Sequence, residues 1–512
     1  MQTQERLAQM SSEIIAHATK DVKTFIEQLA NNLRKTECAK EAGELEMTAG
    51  NALNRLKKGE TIEERRGSLE PLRTLDTWLR SMALKTAAHW FIIIVEQFIG
   101  TGHVGVDFEH EGVKYVFHDF RWRKLHLVTG PVAVKAAYYR RSGGGKGIFP
   151  LDLVLGVDEP GYTREAAFMM SHFASETDYP QAEELIERAT GLTIDQNRLH
   201  RHVESLGHSA RELLSNPSKS VECRGEDDVM VIETDGLMTP MRFDPDGDDP
   251  AKAGAGWHEA HVGVVGIPGK VEKREPKYRR RDRSPNHKKK KRKTKADDYE
   301  DVKLFDQTYV ATYEGRDGHL ERLKIEAERR GWTPNILTAV IGDGADWVHG
   351  KTKLLFPGAV HILDWYHAME HLGTVRDLAY ESGAPSGAAW YARHEANLWE
   401  GNVTAVIRSI RYLARTSSVK YAEKLIGEAK FFKKRIDIMD YPLYRSMGLP
   451  IGSGAVESAC RHVVQERCKC SGMRWSPEGL RNLLGVKTAI INRRFDDLWR
   501  THTRRAERKT AA

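Results

Sequence analysis

Val229-Met-Val-Ile-Glu-Thr-Asp-Gly236 is a run whose first six residues are largely apolar and which breaks off at a carboxylate followed by glycine. A short run of this kind, bounded by a turn residue, is what a strand covered on both faces requires. Downstream, His261 to Ile267 predicts a second strand and Thr308 to Tyr313 a third. Helical spacing follows over about Asp317 to Arg330, then a strand from Ile336 to Ile341 ending at Gly342-Asp-Gly344. One more strand, Ala359-Val-His-Ile-Leu363, stops at Asp364. Three strands, a helix, two strands and then helices is the element order of an RNase H-like fold. The expectation is therefore an α/β domain whose mixed sheet is flanked by helices, its first part covering 226–371. Residues 372–445 read as an all-α insertion, too long for a loop. A final helical part, 446–500, opens at Ile451-Gly-Ser-Gly454 and carries Glu457; 501–512 is a basic tail.

Upstream the pattern changes twice. Residues 1–105 read as a helical region, with Ile14, Ile15, Val22, Phe25, Ile26 and Leu29 at helical spacing. Residues 106–150 form a small β-rich region, through Val113 to Phe117, Lys124 to Val128 and Val132 to Tyr139, and Ser142-Gly-Gly-Gly-Lys-Gly147 closes it. Within 151–220, a helix from Pro180 reaches a turn at Gly191, and a second helix is expected to open on a Thr193 cap. That pair fits a helix-turn-helix presenting Gln196, Asn197, Arg198 and Arg201 to base edges. A plain αα-hairpin fits the same pattern.

The chain has 512 residues, 40% hydrophobic and 29% charged, the balance of a globular protein of several domains. No N-terminal secretory signal is read, and the apolar run Trp90 to Val95 is too short to cross a bilayer, so no membrane partner is expected. Five cysteines, three of them clustered at 460–470, do not make a disulfide framework and suit a reducing cytoplasm. The net charge of +7 conceals an asymmetry: Lys270 to Lys295 holds fifteen Lys/Arg against three acids, leaving the rest near −5. Lys288, Lys289, Lys290, Lys291, Arg292 and Lys293 form its densest part, placed between the second and third strands to track phosphates. A solvated loop is the plainer reading of such a run.

Asp235, Asp343 and Glu457 stand where this fold would gather them, each beside glycines (Gly236, Gly342, Gly344, Gly452, Gly454) that leave the backbone open to a large ligand. In-line displacement at phosphorus uses two divalent ions, one for the attacking and one for the leaving oxygen. Mg²⁺ or Mn²⁺ takes oxygen ligands, so three carboxylates suffice.

Thr234-Asp-Gly, Ile341-Gly-Asp-Gly-Ala-Asp-Trp347, Ile362-Leu-Asp-Trp-Tyr-His-Ala-Met-Glu-His371 and Gly452-Ser-Gly-Ala-Val-Glu-Ser458 with Gly472-Met-Arg-Trp475 resemble the DDE transposases of bacterial insertion sequences, particularly the ISKra type. The resemblance spans roughly residues 130–500. It implies that Asp235, Asp343 and Glu457 are the metal-binding triad of an enzyme that cuts and rejoins DNA, a homo-oligomer on its element ends, cytoplasmic and nucleoid-associated. It also implies that Asp364 and His367 belong to a D-x-x-H signature acting behind the metal or on substrate. One departure stands out. Relatives carry a Cys-x-x-Cys zinc ribbon ahead of Phe149-Pro-Leu-Asp152, whereas no cysteine lies between Cys38 and Cys223 here, so that zinc site cannot form.

Several residues admit rival readings. His367-Ala-Met-Glu-His371 also spells the H-x-x-E-H pattern of zinc peptidases, a reading that leaves the three acids unexplained. A non-cutting DNA-binding descendant is the other alternative. Asp346 is a metal neighbour or a capping or surface residue. Cys468-Lys-Cys470 has poor zinc spacing and reads as thiols. Arg467, Lys469 and Arg474 follow Glu457, Arg474 as a candidate DNA contact, and Trp475 either stacks on a base or fills the core.

Overall fold

In a computed structural model of the chain, the described residues are 69–215, 228–242, 255–270, 302–416 and 418–511, with Glu27, Gly43 and Met47. Most of the expected N-terminal helical region and the whole Lys288 to Lys293 run lie outside them. Two compact units emerge: residues 1–166 with 184–194 and 511, and residues 167–183 with 195–510 and 512.

In the first unit, helix α1 (Leu69–Ile94) runs into a π-helical turn, Val95–Ile99. An antiparallel sheet follows, β1 (Asp107–His110), β2 (Val113–Leu127) and β3 (Gly130–Arg141), in that order. Leu125, Val132, Val134 and Ala136 form one core with Ala88, Phe91, Ile92 and Val95. A partly buried fork ties the sheet to the helix that follows it. Arg123 donates from Nε to Asp152 Oδ1 at 3.0 Å and pairs with Oδ2 at 2.9 Å, pinning helix α2 (Pro150–Leu155) to β2. The Phe149-Pro-Leu-Asp152 motif is thus a packing element. The apolar helical stretch is longer than expected: Leu79–Ile99, at mean hydropathy 1.3, is long and apolar enough by composition to cross a membrane. The expected run was too short because it stopped at Val95; the helix carries Leu79, Leu84, Phe98 and Ile99 on the same stretch.

Helices α3 (Arg164–Glu176) and α4 (Tyr179–Ala189) lead to α5 (Gln196–Ser215). The cap of α5 is Asp195, whose Oδ1 accepts from Arg198 N at 3.0 Å, and not Thr193. A carboxylate both satisfies the amide and complements the helix dipole, so it wins over a hydroxyl two residues earlier.

The second unit is mixed α/β. Its five-stranded sheet has the order β6-β5-β4-β7-β8, from β4 (Val229–Met241), β5 (Gly256–Lys270), β6 (Val302–Thr312), β7 (Leu337–Gly342) and β8 (Val360–Leu363). β5 runs antiparallel to both of its neighbours, β4 and β6; β7 is parallel to β4, and β8 to β7. Helix α6 (Gly315–Arg329) and helix α7 (Asp346–Leu355) close a core with Met230, Ile232, Val265 and Val340 on one face. Val231, Glu233 and Asp235 alternate to the other face. There a helix running from Gly454 to Cys468, here α13, packs on the sheet with α14 (Pro477–Ile491) and α15 (Phe495–Ala511) beyond it. Coverage on both faces explains why β4 reads as a continuous apolar run. Helices α8 (Trp365–Ala379), α9 (Pro385–Trp399), α10 (Val403–Thr416), α11 (Val419–Lys434) and α12 (Tyr441–Ser446) form the expected helical insertion.

Candidate active site

β4 does not end at Asp235. It continues to Met241 because its antiparallel partner β5 extends to match it, Met241 facing Gly256. What ends near Asp235 is the pairing with β7, whose last register pair is Glu233 with Ile341. Asp343 follows the last residue of β7, and Asp364 follows the last residue of β8. All three acids therefore sit where parallel neighbours part at their carboxyl ends, the crevice in which open α/β sheets receive ligands.

Glu457 reaches this crevice from α13. Its helix is α-helical over Gly454–Ala459 and π-helical over Cys460–Gln465. Such a wide turn re-aims side chains and is common at functional sites. Two buried carboxylates hold the N-terminus of α13 in place. Glu233 Oε2 accepts from Val456 N at 2.8 Å, and Asp364 Oδ1 accepts from Ser453 N at 2.7 Å. Asp364 Oδ2 also accepts from His367 N at 2.7 Å, capping α8. Asp364 is only 3% exposed, so it orients the Glu457 helix rather than meeting a ligand itself.

Neighbouring acids act on one another across this crevice. Burial pushes the Asp235 carboxyl above its ordinary range, with the Asp343 charge adding to the push and the Gly236 N–H opposing it. Glu457 is raised by burial and then by Asp364 and Asp235. Glu233 is pushed up to about 8 by burial, against the hydrogen bond from Val456. Asp343 Oδ1 accepts from Ala345 N at 2.8 Å, fixing the Gly342-Asp-Gly344 turn. Among the described residues, however, no group of three or more His, Cys, Asp or Glu side chains is drawn together closely enough to hold a metal ion.

Positive charge comes from the insertion. Arg435, just past α11, donates from Nε to Gly344 O at 2.8 Å, and Asp343 and Asp346 both act on its guanidinium. Lys434 pairs with Asp346, which is exposed at the start of α7 and takes no capping hydrogen bond. Gly344 has φ +81°, and a Cβ there would lie 2.5 Å from Arg435 Nε. The glycines have a different purpose from the one expected. Gly236, Gly344 and Gly452 make room for Glu259, Arg435 and Tyr366 of the protein itself, while only Gly454 faces open space.

His367 lies beside Asp235, whose carboxyl it favours in the charged form. His371 Nδ1 meets Glu428 Oε2 at 2.7 Å, and its ring stacks on Phe431 at 3.5 Å and lies 4.9 Å from the ring of His367. Trp475 is 7% exposed, donates from Nε1 to Cys468 O at 3.1 Å and lies 4.9 Å from the Arg467 guanidinium. It fills the core and cannot stack on a base. Arg474, Lys469 and, on α5, Gln196, Asn197, Arg198 and Arg201 have exposed or partly exposed side chains. Leu199, Val203, Leu206 and Gly207 bury the other side of α5, with Gly207 closing on Asn482 of α14. Cys460 and Cys468 are buried free thiols and Cys470 an exposed one. Cys460 Sγ approaches Asp235 Oδ2 at 3.9 Å.

Glu233 is the functional residue that the sequence reading passed over; its one signal was a lone acid inside an apolar strand. Because its folded pKa of about 8 exceeds the ordinary 4.5, folding is favoured most at low pH and loses that contribution as pH rises through about 8. Glu233→Gln keeps an acceptor for Val456 N and carries no charge. Its melting temperature is expected to exceed the wild type's at pH 8, by an amount that vanishes toward pH 5. An advantage independent of pH would contradict this.

No family model matches the chain, and no curated protein is significantly similar to it. Among solved structures it is similar to the Drosophila P element transposase strand transfer complex, at 11% identity, over 68% of this chain and 82% of that one, with a TM-score of 0.23. At that TM-score the likeness carries no argument.

Proposed function

We propose that this chain is a DNA transposase that cuts and joins strands at Asp235, Asp343 and Glu457. The observation that carries the reading is convergence: Asp343 acts on the Asp235 carboxyl and Asp235 on that of Glu457, although the three are far apart in the chain. The strand order, with three antiparallel strands followed by two parallel ones, supports an RNase H-like domain. The resemblance of the four acid-bearing motifs to DDE transposases supplies the reaction class.

The donors fit hard divalent cations, since all three are carboxylates. Asp235 and Glu457 are raised partly by their acidic neighbours, a repulsion that Mg²⁺ or Mn²⁺ would relieve. Asp235, Asp343 and Glu457 would be the residues that hold the ions. The chemistry such ions supply when bound is activation of the attacking oxygen and stabilisation of the leaving one. Glu233 and Asp364 hold α13 so that Glu457 faces the crevice, and Arg435 offers a guanidinium beside Asp343 for a phosphate oxygen. The exposed side of α5 and the Lys288 to Lys293 run would hold DNA, the latter without regard to sequence.

A second reading, a DNA-binding protein that does not cut, has the open spacing of the acids in its favour. Incubation with duplex DNA carrying the sequences that flank the gene decides between them. Mg²⁺-dependent nicks whose 3′ ends a polymerase extends are expected, and a chelator removes them. Ends bearing a 3′-phosphate, or no cleavage with either Mg²⁺ or Mn²⁺, would overturn the proposal.

A further inference from the structure

The outer face of the three-stranded sheet presents an aromatic and basic surface that no zinc site or core explains. Along β2, Phe120, Trp122 and Lys124 alternate outward while Arg121, Arg123 and Leu125 turn to the other side. Trp122 is 71% exposed and Phe120 45%. Across the strand pair, Trp122 faces Lys135 and Lys124 faces Ala133. Lys135 Nζ stands 5.8 Å from the centre of the Phe120 ring. Pro131, Ala133, Lys124 and Lys135 are exposed as well, so small residues leave open space beside the indole.

The charge of this face is one-sided: Lys124 and Lys135 lie on it, and residues 120–127 and 130–141 contain no acid. The nearest acid, Asp119, is held by Arg121 Nε at 2.8 Å, and Asp107 at the far end of the sheet by Lys114. Among the described residues no carboxylate pairs with Lys124 or Lys135. Lysine is depleted from protein–protein interfaces, whereas aromatic rings flanked by lysines suit a nucleic-acid strand: the rings stack on bases and the ammonium groups meet phosphates. Bases inside a duplex already have their faces covered, so a flat sheet presenting an indole gains most from unpaired ones.

We propose that this sheet face binds single-stranded DNA, with Trp122 and Phe120 stacking on unpaired bases and Lys124 and Lys135 holding the backbone. The inference deepens the transposase reading, on which it rests only for the partner being DNA: cutting and joining strands exposes unpaired nucleotides at the ends being moved. The shape of this sheet comes from Arg123, Asp152 and apolar packing.

The test uses the full chain without divalent ions, a fluorescent 20-nucleotide oligothymidine and a duplex of equal length. Trp122→Ala is expected to weaken binding of the single strand about tenfold or more and to leave duplex affinity within about twofold. Trp122→Phe should recover most of the loss, because a phenyl ring still stacks. Lys124→Gln with Lys135→Gln should make the plot of log K against log salt shallower by about 1.4, two phosphates at about 0.7 each. Unchanged single-strand binding by Trp122→Ala, equal losses on both DNA forms, or no single-strand binding by the wild type would each overturn the proposal. Cleavage by the wild type is read separately: if Mg²⁺-dependent nicking persists while Trp122→Ala binds normally, the sheet proposal falls alone. If the sheet binds single strands and no cleavage occurs, the catalytic reading falls alone.

Discussion

Asp343→Asn is expected to abolish Mg²⁺-dependent strand cleavage while DNA binding and thermal stability stay close to wild type. Asp343 Oδ1 accepts from Ala345 N at 2.8 Å, a bond that an asparagine oxygen keeps, so the Gly342-Asp-Gly344 turn survives. What is lost is the negative charge that would hold a cation. Electrostatic stabilisation by bound cations is worth several kcal/mol in a phosphoryl transition state. At about 1.4 kcal/mol per factor of ten, the rate should fall by on the order of a thousandfold or more. Single-turnover nicking of a labelled duplex measures the effect, with a filter-binding control for affinity. Cleavage within about threefold of wild type would remove Asp343 from the chemistry.

Asp364→Asn should be damaging for a different reason, and the difference is measurable. Both oxygens of Asp364 accept backbone N–H groups, from His367 and from Ser453. Asparagine supplies one acceptor and sets its amide N–H₂ against the other donor. A buried hydrogen bond lost in this way costs about 1–3 kcal/mol. The start of α13 then loosens, and Glu457 with it. Displacing a ligand-bearing group by about 1 Å can cost roughly a hundredfold in rate. Asp364→Asn is therefore expected to lower both the unfolding midpoint in urea and the cleavage rate, whereas Asp343→Asn lowers only the rate. A stable Asp364→Asn variant with impaired cleavage would mean that Asp364 meets the cation or the DNA directly.

Much of this architecture is legible in the sequence because it depends on local pattern. The apolar run at 229–234, the strands ending at Gly342 and Leu363 and the helical insertion all follow from periodicity and turn residues. Other features depend on partners distant in the chain. Asp235 reads as a strand end, yet β5 carries the strand on to Met241. Glu233 finds Val456 across 223 positions, and no local rule announces that bond. Trp475 resembles a stacking residue until the sheet is seen to extend to it: its N–H donates to Pro240 O and its C=O accepts from Arg242 N. Thr193 and Asp195 are both acceptable caps, and the structure has Asp195 accepting from Arg198 N. The glycines beside the acids read as space for a ligand, while three of them serve Glu259, Arg435 and Tyr366. In each case the missing information was tertiary.

Cleavage of the polypeptide itself by Fe²⁺ in place of Mg²⁺, with ascorbate and peroxide, reports where a bound cation lies. Radicals generated at the ion cut the backbone only within a few residues of its ligands. Three sets of fragments are expected, ending near Asp235, near Asp343 and near Glu457, all suppressed together by excess Mg²⁺ and by Asp343→Asn. Cuts confined to one of these segments, or fragments that Mg²⁺ does not suppress, would show that the three carboxylates do not share a metal site.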